Sequence, residues 1–318
     1  MPVPTVFQGQ LRLPVIGAPM FLVSLPALVV AQCKAGIAGS FPHVNARPSA
    51  QFDSWLAAIK LALKDAPEAA PFGVNLVVHG TNPRFEPDLE IVVQHQVPFV
   101  ITSLGNPAPV VKAVHGYGGV VFCDVVNALH ARKAAVAGVD GLICVGAGAG
   151  GHASQQSQFS LVREIREFWE GTLILGGAIN DGWQLRAAEC LGADLGYIGT
   201  RFLASAESAA SAEYKRMVIE SGFDQLIYTD KFSGIGCNFL KPSLDRYGLD
   251  PATMPPKRPD LSSLADSEGK LWRDVWTAGH GVATIHDAPP VAEIVERMAK
   301  EYAAACRLGP STALRAVS

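Results

Sequence analysis

The chain has 318 residues, 49% of them hydrophobic and 17% charged, with a formal net charge of −3. That balance suits one large or two modest domains and offers no basic face for nucleic acid. Six cysteines with no C-x-x-C pair exclude a zinc knuckle or disulfide framework and suit a reducing compartment.

The opening MPVPTVFQGQLRLP has neither the charged nor the apolar region of a signal peptide. The apolar stretch 15–31 is interrupted by Pro19 and Pro26, and no clean run of about 20 apolar residues follows, as a membrane span would need. A soluble, cytoplasmic protein is expected. Short branched or apolar runs then recur at 14–20, 36–41, 72–78, 99–105, 119–125, 141–147, 172–178 and 195–202. Between them lie helix-like segments at 25–35, 54–64, 88–94, 109–115, 127–137, 160–170 and 183–191. In SLVREIREFWE, Leu161, Val162, Ile165, Phe168 and Trp169 share one helical face.

Strand alternating with helix implies parallel pairing, and eight such units predict an α/β fold, a (β/α)8 TIM barrel. An open doubly wound sheet is the competing architecture, but no G-x-G-x-x-G follows the first strand. A faint internal similarity supports repetition: AAVAGVDGLI and AAECLGADLGYI each end a helix on glycine (Gly138, Gly192) and place an aspartate two residues later (Asp140, Asp194). The rhythm stops after the eighth strand. Residues 206–271 read as a small inserted lid or substrate domain, with 1–205 plus 272–318 forming the barrel and a helical tail returning to cover it.

In such barrels the active site lies at the C-terminal ends of the strands. Those ends carry GAPM, the stretch 41–43, Asn75, Ser103, Cys123 with Asp124, the loop GAGAGGH, GGAINDG and GTRF. A glycine-rich loop suits close backbone approach to a ligand. The turns after strands seven and eight offer the N–H groups of Gly177, Ala178, Gly199 and Thr200 at a helix start, the usual phosphate position in this fold. Small residues after strand one leave room for a flat ring, so a phosphorylated planar cofactor such as flavin mononucleotide (FMN) fits.

The segments GAPM, FGVN, GAGAGGHAS, GGAINDG, GADLGYIGTRFLAS and WTAGHGV make the chain resemble the nitronate monooxygenases, formerly 2-nitropropane dioxygenases, over nearly its whole length. The resemblance implies an FMN-dependent oxidation of nitroalkanes or nitronates by O2 to carbonyl compounds and nitrite. It also implies that Ala18, Pro19 and Met20 lie along the isoalloxazine edge and that Asn75 bonds the ring or ribityl chain. Gly177, Ala178, Gly199 and Thr200 would hold the phosphate with Gly151 nearby, and His152 would be the catalytic base. Ser103 and Asp124 complete the cofactor-binding set. One departure is notable: some relatives carry a lysine near the flavin pyrimidine edge where this chain has Asp124. A carboxylate there would not stabilise negative charge on reduced flavin.

An FMN-dependent NAD(P)H reductase acting on quinones or enoyl-acyl-carrier protein shares much of the pattern and is the alternative reading. NAD(P)H and a second copy of the chain are accordingly further candidate partners. His95, His115 and His130 read as surface or packing residues, whereas His280 in AGHGV is a candidate to approach the cofactor and His286 belongs to the C-terminal cover. His43 and His79 follow strands two and three and could join His152 at the barrel mouth, the basis of a more distant reading as a metal-dependent hydrolase. Against it, no H-x-H follows strand one, no carboxylate cluster supports a metal, and no metal ligands are assigned. A flavin-free sugar-phosphate isomerase would want a Glu or Lys at a strand end, and none is well placed. Tyr228, Phe232, Phe239 and Lys241 in the lid would set substrate size.

Overall fold

A computed structural model describes residues 3–257 and 274–309. The parallel strands are β1 (Val15–Gly17), β2 (Gly39–Pro42), β3 (Phe72–Val77), β4 (Phe99–Ser103), β5 (Val120–Val125) and β6 (Gly141–Val145). After the two-residue β7 (Gly151–His152) come the last two, β8 (Thr172–Gly176) and β9 (Leu195–Ile198). Helices α1 (Pro26–Lys34), α2 (Ser49–Leu63), α3 (Phe85–Gln94), α4 (Ala108–His115), α5 (Ala128–Val136), α6 (Gln158–Arg166) and α7 (Gly182–Leu191) alternate with them. The sheet runs β1-β9-β8-β6-β5-β4-β3-β2. Its two edges meet where Ala38 N–H donates to Val15 O (3.0 Å) and Gly17 N–H donates to Ala38 O (2.7 Å). The result is a TIM barrel, with all eight expected strands in their expected places.

Because strands are covered on both faces, their sequences read as unbroken apolar runs, and the two-residue period emerges only in the packing. Val100, Val121, Leu142 and Leu173 face the helices. Their chain neighbours Ile101, Phe122, Ile143 and Ile174 fill the barrel interior. Phe7, from the single turn Thr5–Phe7, plugs the end where the strands begin, edge-on to Phe99 (5.2 Å) and stacked on Phe122 (5.9 Å). That leaves the opposite end as the open one.

The internal similarity has a structural cause. Gly138 and Gly192 adopt left-handed φ values of 85° and 115° after their helices. Each following aspartate then anchors the start of the preceding strand in the barrel. Asp140 accepts from Val121 N–H (2.8 Å) and Asp194 accepts from Leu173 N–H (2.8 Å). Arg166 adds an ion pair to Asp194 (2.7 Å).

Beyond the barrel strands the chain forms α8 (Thr200–Leu203), α9 (Ala212–Glu220), β10 (Leu226–Thr229), β11 (Cys237–Leu240), α10 (Lys241–Asp245) and α11 (Val291–Cys306). α11 packs back onto the helical layer through Val291, Ile294, Val295 and Met298. Its Glu301 carboxylate accepts from Gly182 N–H at the start of α7 (3.0 Å). The described part of the tail thus packs on the helical layer, while 271–273 lie outside the described residues. The strand content after β9 was not expected. β10 and β11 pair antiparallel, and β11 also pairs with β7, opposing Cys237 to His152 and Asn238 to Gly151. Four-residue strands separated by a glycine-bearing turn carry little periodic signal. Among the described residues, no helix is long and apolar enough to cross a membrane.

Candidate active site

A cavity of about 1280 Å³ lies at the C-terminal ends of the barrel strands, and the expected base His152 and the eleven residues expected to bind the cofactor all line it. Ala18, Pro19 and Met20 form its wall after β1. Their loop is pinned by Asn45, which accepts from Leu22 N–H (2.8 Å) and donates to Met20 O (3.0 Å) and Ser24 O (2.9 Å). Nothing in the sequence pattern marked Asn45, whose partners come from another loop.

Adjacent strands contribute a polar chain. Asn75 Nδ2 donates to Ile101 O (3.3 Å) and to Ser103 Oγ (2.7 Å), and Ser103 Oγ donates to Asp124 Oδ2 (2.5 Å). Burial pushes the Asp124 carboxyl up to about 7, against the lowering effect of the Ser103 bond. At the position noted in the sequence the carboxyl is therefore only partly ionised at neutral pH.

The loop after β6 explains its own composition. A Cβ on Gly150 would meet Gly279 N at 2.7 Å, so two backbone segments touch where side chains would part them. Gly148 O accepts from Ala178 N–H (3.2 Å) and His280 N–H (3.0 Å). Asn238 of β11 donates to Ala147 O (2.9 Å) and Ala149 O (2.7 Å). The stretch is a clamped arch, and it delivers Gly151 and His152 as strand β7. His152 lines the cavity, and burial pushes its imidazole down to about 4, so it is neutral at neutral pH.

Across the cavity, Gly177 has φ 120°, and a Cβ there would come within 2.9 Å of Ala149 N and Gln158 Nε2. Gln158 in turn donates to Gly177 O (3.2 Å), a support the sequence pattern did not reveal. Two details differ from the sequence expectation. The N–H of Ala178 is already donated to Gly148 O, leaving those of Gly177, Gly199 and Thr200 from the expected set. The helix start is also uneven: Gly199 directly caps the single turn α8, whereas α7 begins only at Gly182, beyond the GGAIN turn. Thr200 Oγ1 accepts from Gly279 N–H (3.0 Å), which frees its own hydroxyl proton for another acceptor.

The remaining histidines separate. His43 does not reach the mouth: it is fully buried and paired with Asp88 (2.5 Å), with Asn82 on its other nitrogen (3.3 Å). His79 turns to Thr81 (2.8 Å). His95 and His115 pair with Asp53 (2.7 Å) and Asp140 (2.8 Å) at the helical periphery. His130 is exposed at the cavity rim, and His280 stands edge-on to Phe223 at 4.9 Å. His286 is exposed. Among the described residues no group of three metal-ligating side chains converges. Of the four lid residues expected to set substrate size, Tyr228 lines the cavity. Phe232 and Phe239 instead pack edge-to-face (4.9 Å) in a separate small core, and Lys241 begins α10.

With this geometry established, similarity to known proteins can be placed on it. The family model described as nitronate monooxygenase matches residues 79–301, from the end of β3 to α11. The nitronate monooxygenase of Paraburkholderia phytofirmans is 25% identical over 91% of this chain and 92% of that protein. A Mycobacterium tuberculosis protein named (3aS,4S,5R,7aS)-5-hydroxy-7a-methyl-1-oxo-octahydro-1H-indene-4-carboxyl-CoA dehydrogenase is 29% identical over 73% of this chain and 64% of that protein. The solved structure of nitroalkane oxidase from Streptomyces ansochromogenes matches with a TM-score of 0.81, covering 95% of this chain and 99% of that one at 23% identity, a likeness of fold. The matched stretch takes in the clamped arch with His152 and both glycine turns facing it, and on that match the chain belongs to the nitronate monooxygenase family of oxidoreductases.

Proposed function

We propose that the cavity holds FMN and that the protein oxidises nitronates or nitroalkanes with O2 to carbonyl compounds and nitrite, with His152 as general base. One observation carries this reading: a half-buried, neutral imidazole and a glycine-rich backbone cradle share one cavity. The cradle fits a phosphate, since the N–H groups of Gly177, Gly199 and Thr200 and the Thr200 hydroxyl are the donor types that bind one. Ala18, Pro19 and Met20 would lie against the ring, Asn75 and Ser103 would bind its polar edge, and Gly151 would sit near the phosphate. Bound there, FMN would supply the electron-accepting chemistry that lets O2 complete the oxidation.

The residues of the chain do the rest. A neutral imidazole accepts the α-proton of a nitroalkane as the C–H bond breaks, leaving the nitronate. The burial that keeps His152 neutral also makes it a weaker base, and the developing nitronate charge then offsets this by favouring the imidazolium. A preformed nitronate needs no proton removed. His152→Ala is therefore expected to lower turnover of a neutral nitroalkane by about 10²-fold or more while lowering that of the matching nitronate far less. Oxygen consumption with each substrate measures this, and equal losses on both would remove the base role.

The cavity size favours a second reading, because about 1280 Å³ exceeds the roughly 300–1,000 Å³ of common ligand pockets. NAD(P)H docking over the flavin would use that space and make the protein a reductase. Anaerobic mixing with NADH, NADPH or a nitronate discriminates: rapid flavin bleaching by a nicotinamide alone would select the reductase. Residues 206–271 are taken as the substrate lid on a barrel of 1–205 plus 272–318, with 258–271 outside the described residues. Tyr228, donating to Ala153 O next to His152 (3.1 Å), is its specificity contact.

A further inference from the structure

We propose that the Tyr197 hydroxyl donates a hydrogen bond to the ribityl chain or a ring nitrogen of the flavin; this rests on the FMN reading above. β9 alternates as the other barrel strands do. Ile198 faces the helices, a Cβ on Gly196 would meet Leu185 of α7, and Leu195 and Tyr197 point into the barrel. Leu195 is buried in the interior cluster with Ile16, Ile143 and Ile174, so the floor beneath Tyr197 is packed. Tyr197 is the last inward residue of its strand, half-buried, and lines the cavity. Its ring lies against Gly176, where a Cβ would come within 3.2 Å of Tyr197 Cδ1. The first glycine of GGAINDG thus makes room for this ring.

The cavity's other tyrosines are committed: Tyr214 donates to Thr277 O (2.7 Å) and Tyr228 to Ala153 O (3.1 Å). Among the described residues nothing hydrogen-bonds the Tyr197 hydroxyl, and its oxygen is not one of the partnerless polar atoms shut off from solvent. An inward side chain over a packed floor can be open only toward the cavity. Asp124 is a neighbour but not the acceptor, since its Oδ2 takes the Ser103 proton and its Oδ1 is closed off without a partner. Burial, and then the Asp124 charge, hold the phenol well above its usual range, so it is an uncharged donor at neutral pH. Gly199 and Thr200 of the phosphate cradle follow Tyr197 in the chain, and Gly177 follows the glycine against its ring. Asp124 and its partner Ser103 mark the other side, where the polar edge of the ring is placed. A flavin that spans the two crosses the Tyr197 hydroxyl, and a phenol covered by ligand needs an acceptor there.

Wild type and Tyr197→Phe, freed of flavin, would be titrated with FMN, reading quenching of flavin fluorescence. Because the hydroxyl has no partner in the protein, the two flavin-free proteins should unfold at the same urea concentration. Tyr197→Phe should bind FMN about three- to tenfold more weakly, the loss of one hydrogen bond. Inorganic phosphate competing with FMN reports the cradle alone, and its inhibition constant should be the same for both proteins. Equal or tighter FMN binding by Tyr197→Phe would overturn the proposal and leave the FMN reading standing. A weaker phosphate constant in the variant would also overturn it, by placing the hydroxyl on the phosphate. A lower urea midpoint would do the same, by making the hydroxyl part of the fold. Wild-type protein that does not bind FMN would remove the FMN reading, and this contact with it.

Discussion

His152 and Asp124 are both half-buried in the cavity wall, yet desolvation moves their protonation in opposite directions because each favours its uncharged form. His152 falls from 6.5 to about 4, so the unfolded chain binds a proton that the folded protein refuses, and stability is lost as pH falls from about 6.5 to about 4. Asp124 rises from 3.8 to about 7, so its contribution is intact below about pH 4 and is lost as pH rises to about 7. At about 1.4 kcal/mol per tenfold change, each effect is on the order of 3 to 5 kcal/mol, and the two largely cancel across the shared window. Single substitutions should expose them. Between pH 4 and 6.5, urea unfolding of His152→Ala should show stability falling as pH rises, and Asp124→Asn should show it rising. If both variants keep the wild-type profile, neither group is shielded as the structure indicates.

At the scale of elements, the arch 146–152 depends on a strand far along the chain. Asn238, itself buried, donates to two arch carbonyls, and β11 pairs with the strand that carries His152. Asn238→Ala would leave those carbonyls without their donor, at a cost of about 1–3 kcal/mol. Amide hydrogen exchange at 147–152 should accelerate while exchange in β3 to β5 stays unchanged. Unaltered exchange in the arch would show that strand pairing alone holds it. The glycines of this arch were legible because tight backbone contact admits few other residues; Asn238, Gln158 and Asn45 were not, because an amide capping distant carbonyls leaves no local pattern. The lid aromatics misled for a related reason. Phe232 and Phe239 are apolar enough to line a pocket, but whether such a ring faces a cavity or a neighbouring ring is decided by packing.

Over the whole molecule, the barrel is filled from its closed end by Phe7, Phe99 and Phe122, all buried. Phe122→Ala should destabilise the protein by about 3–5 kcal/mol through lost contacts and the cavity left behind. Denaturant unfolding measures this, and a loss below about 1 kcal/mol would mean the interior collapses around the gap. The eight strands, their intervening helices and the glycine turns at their ends were determined by the sequence itself, since alternation of apolar runs with amphipathic segments and the steric demand for glycine are local properties. Which apolar residue faces inward, how β10 and β11 embrace β7, and why His43 pairs with Asp88 while His152 enters the cavity were decided only by tertiary structure. Those outcomes depend on contacts between residues far apart in the chain, whose energies exist only once the barrel has closed.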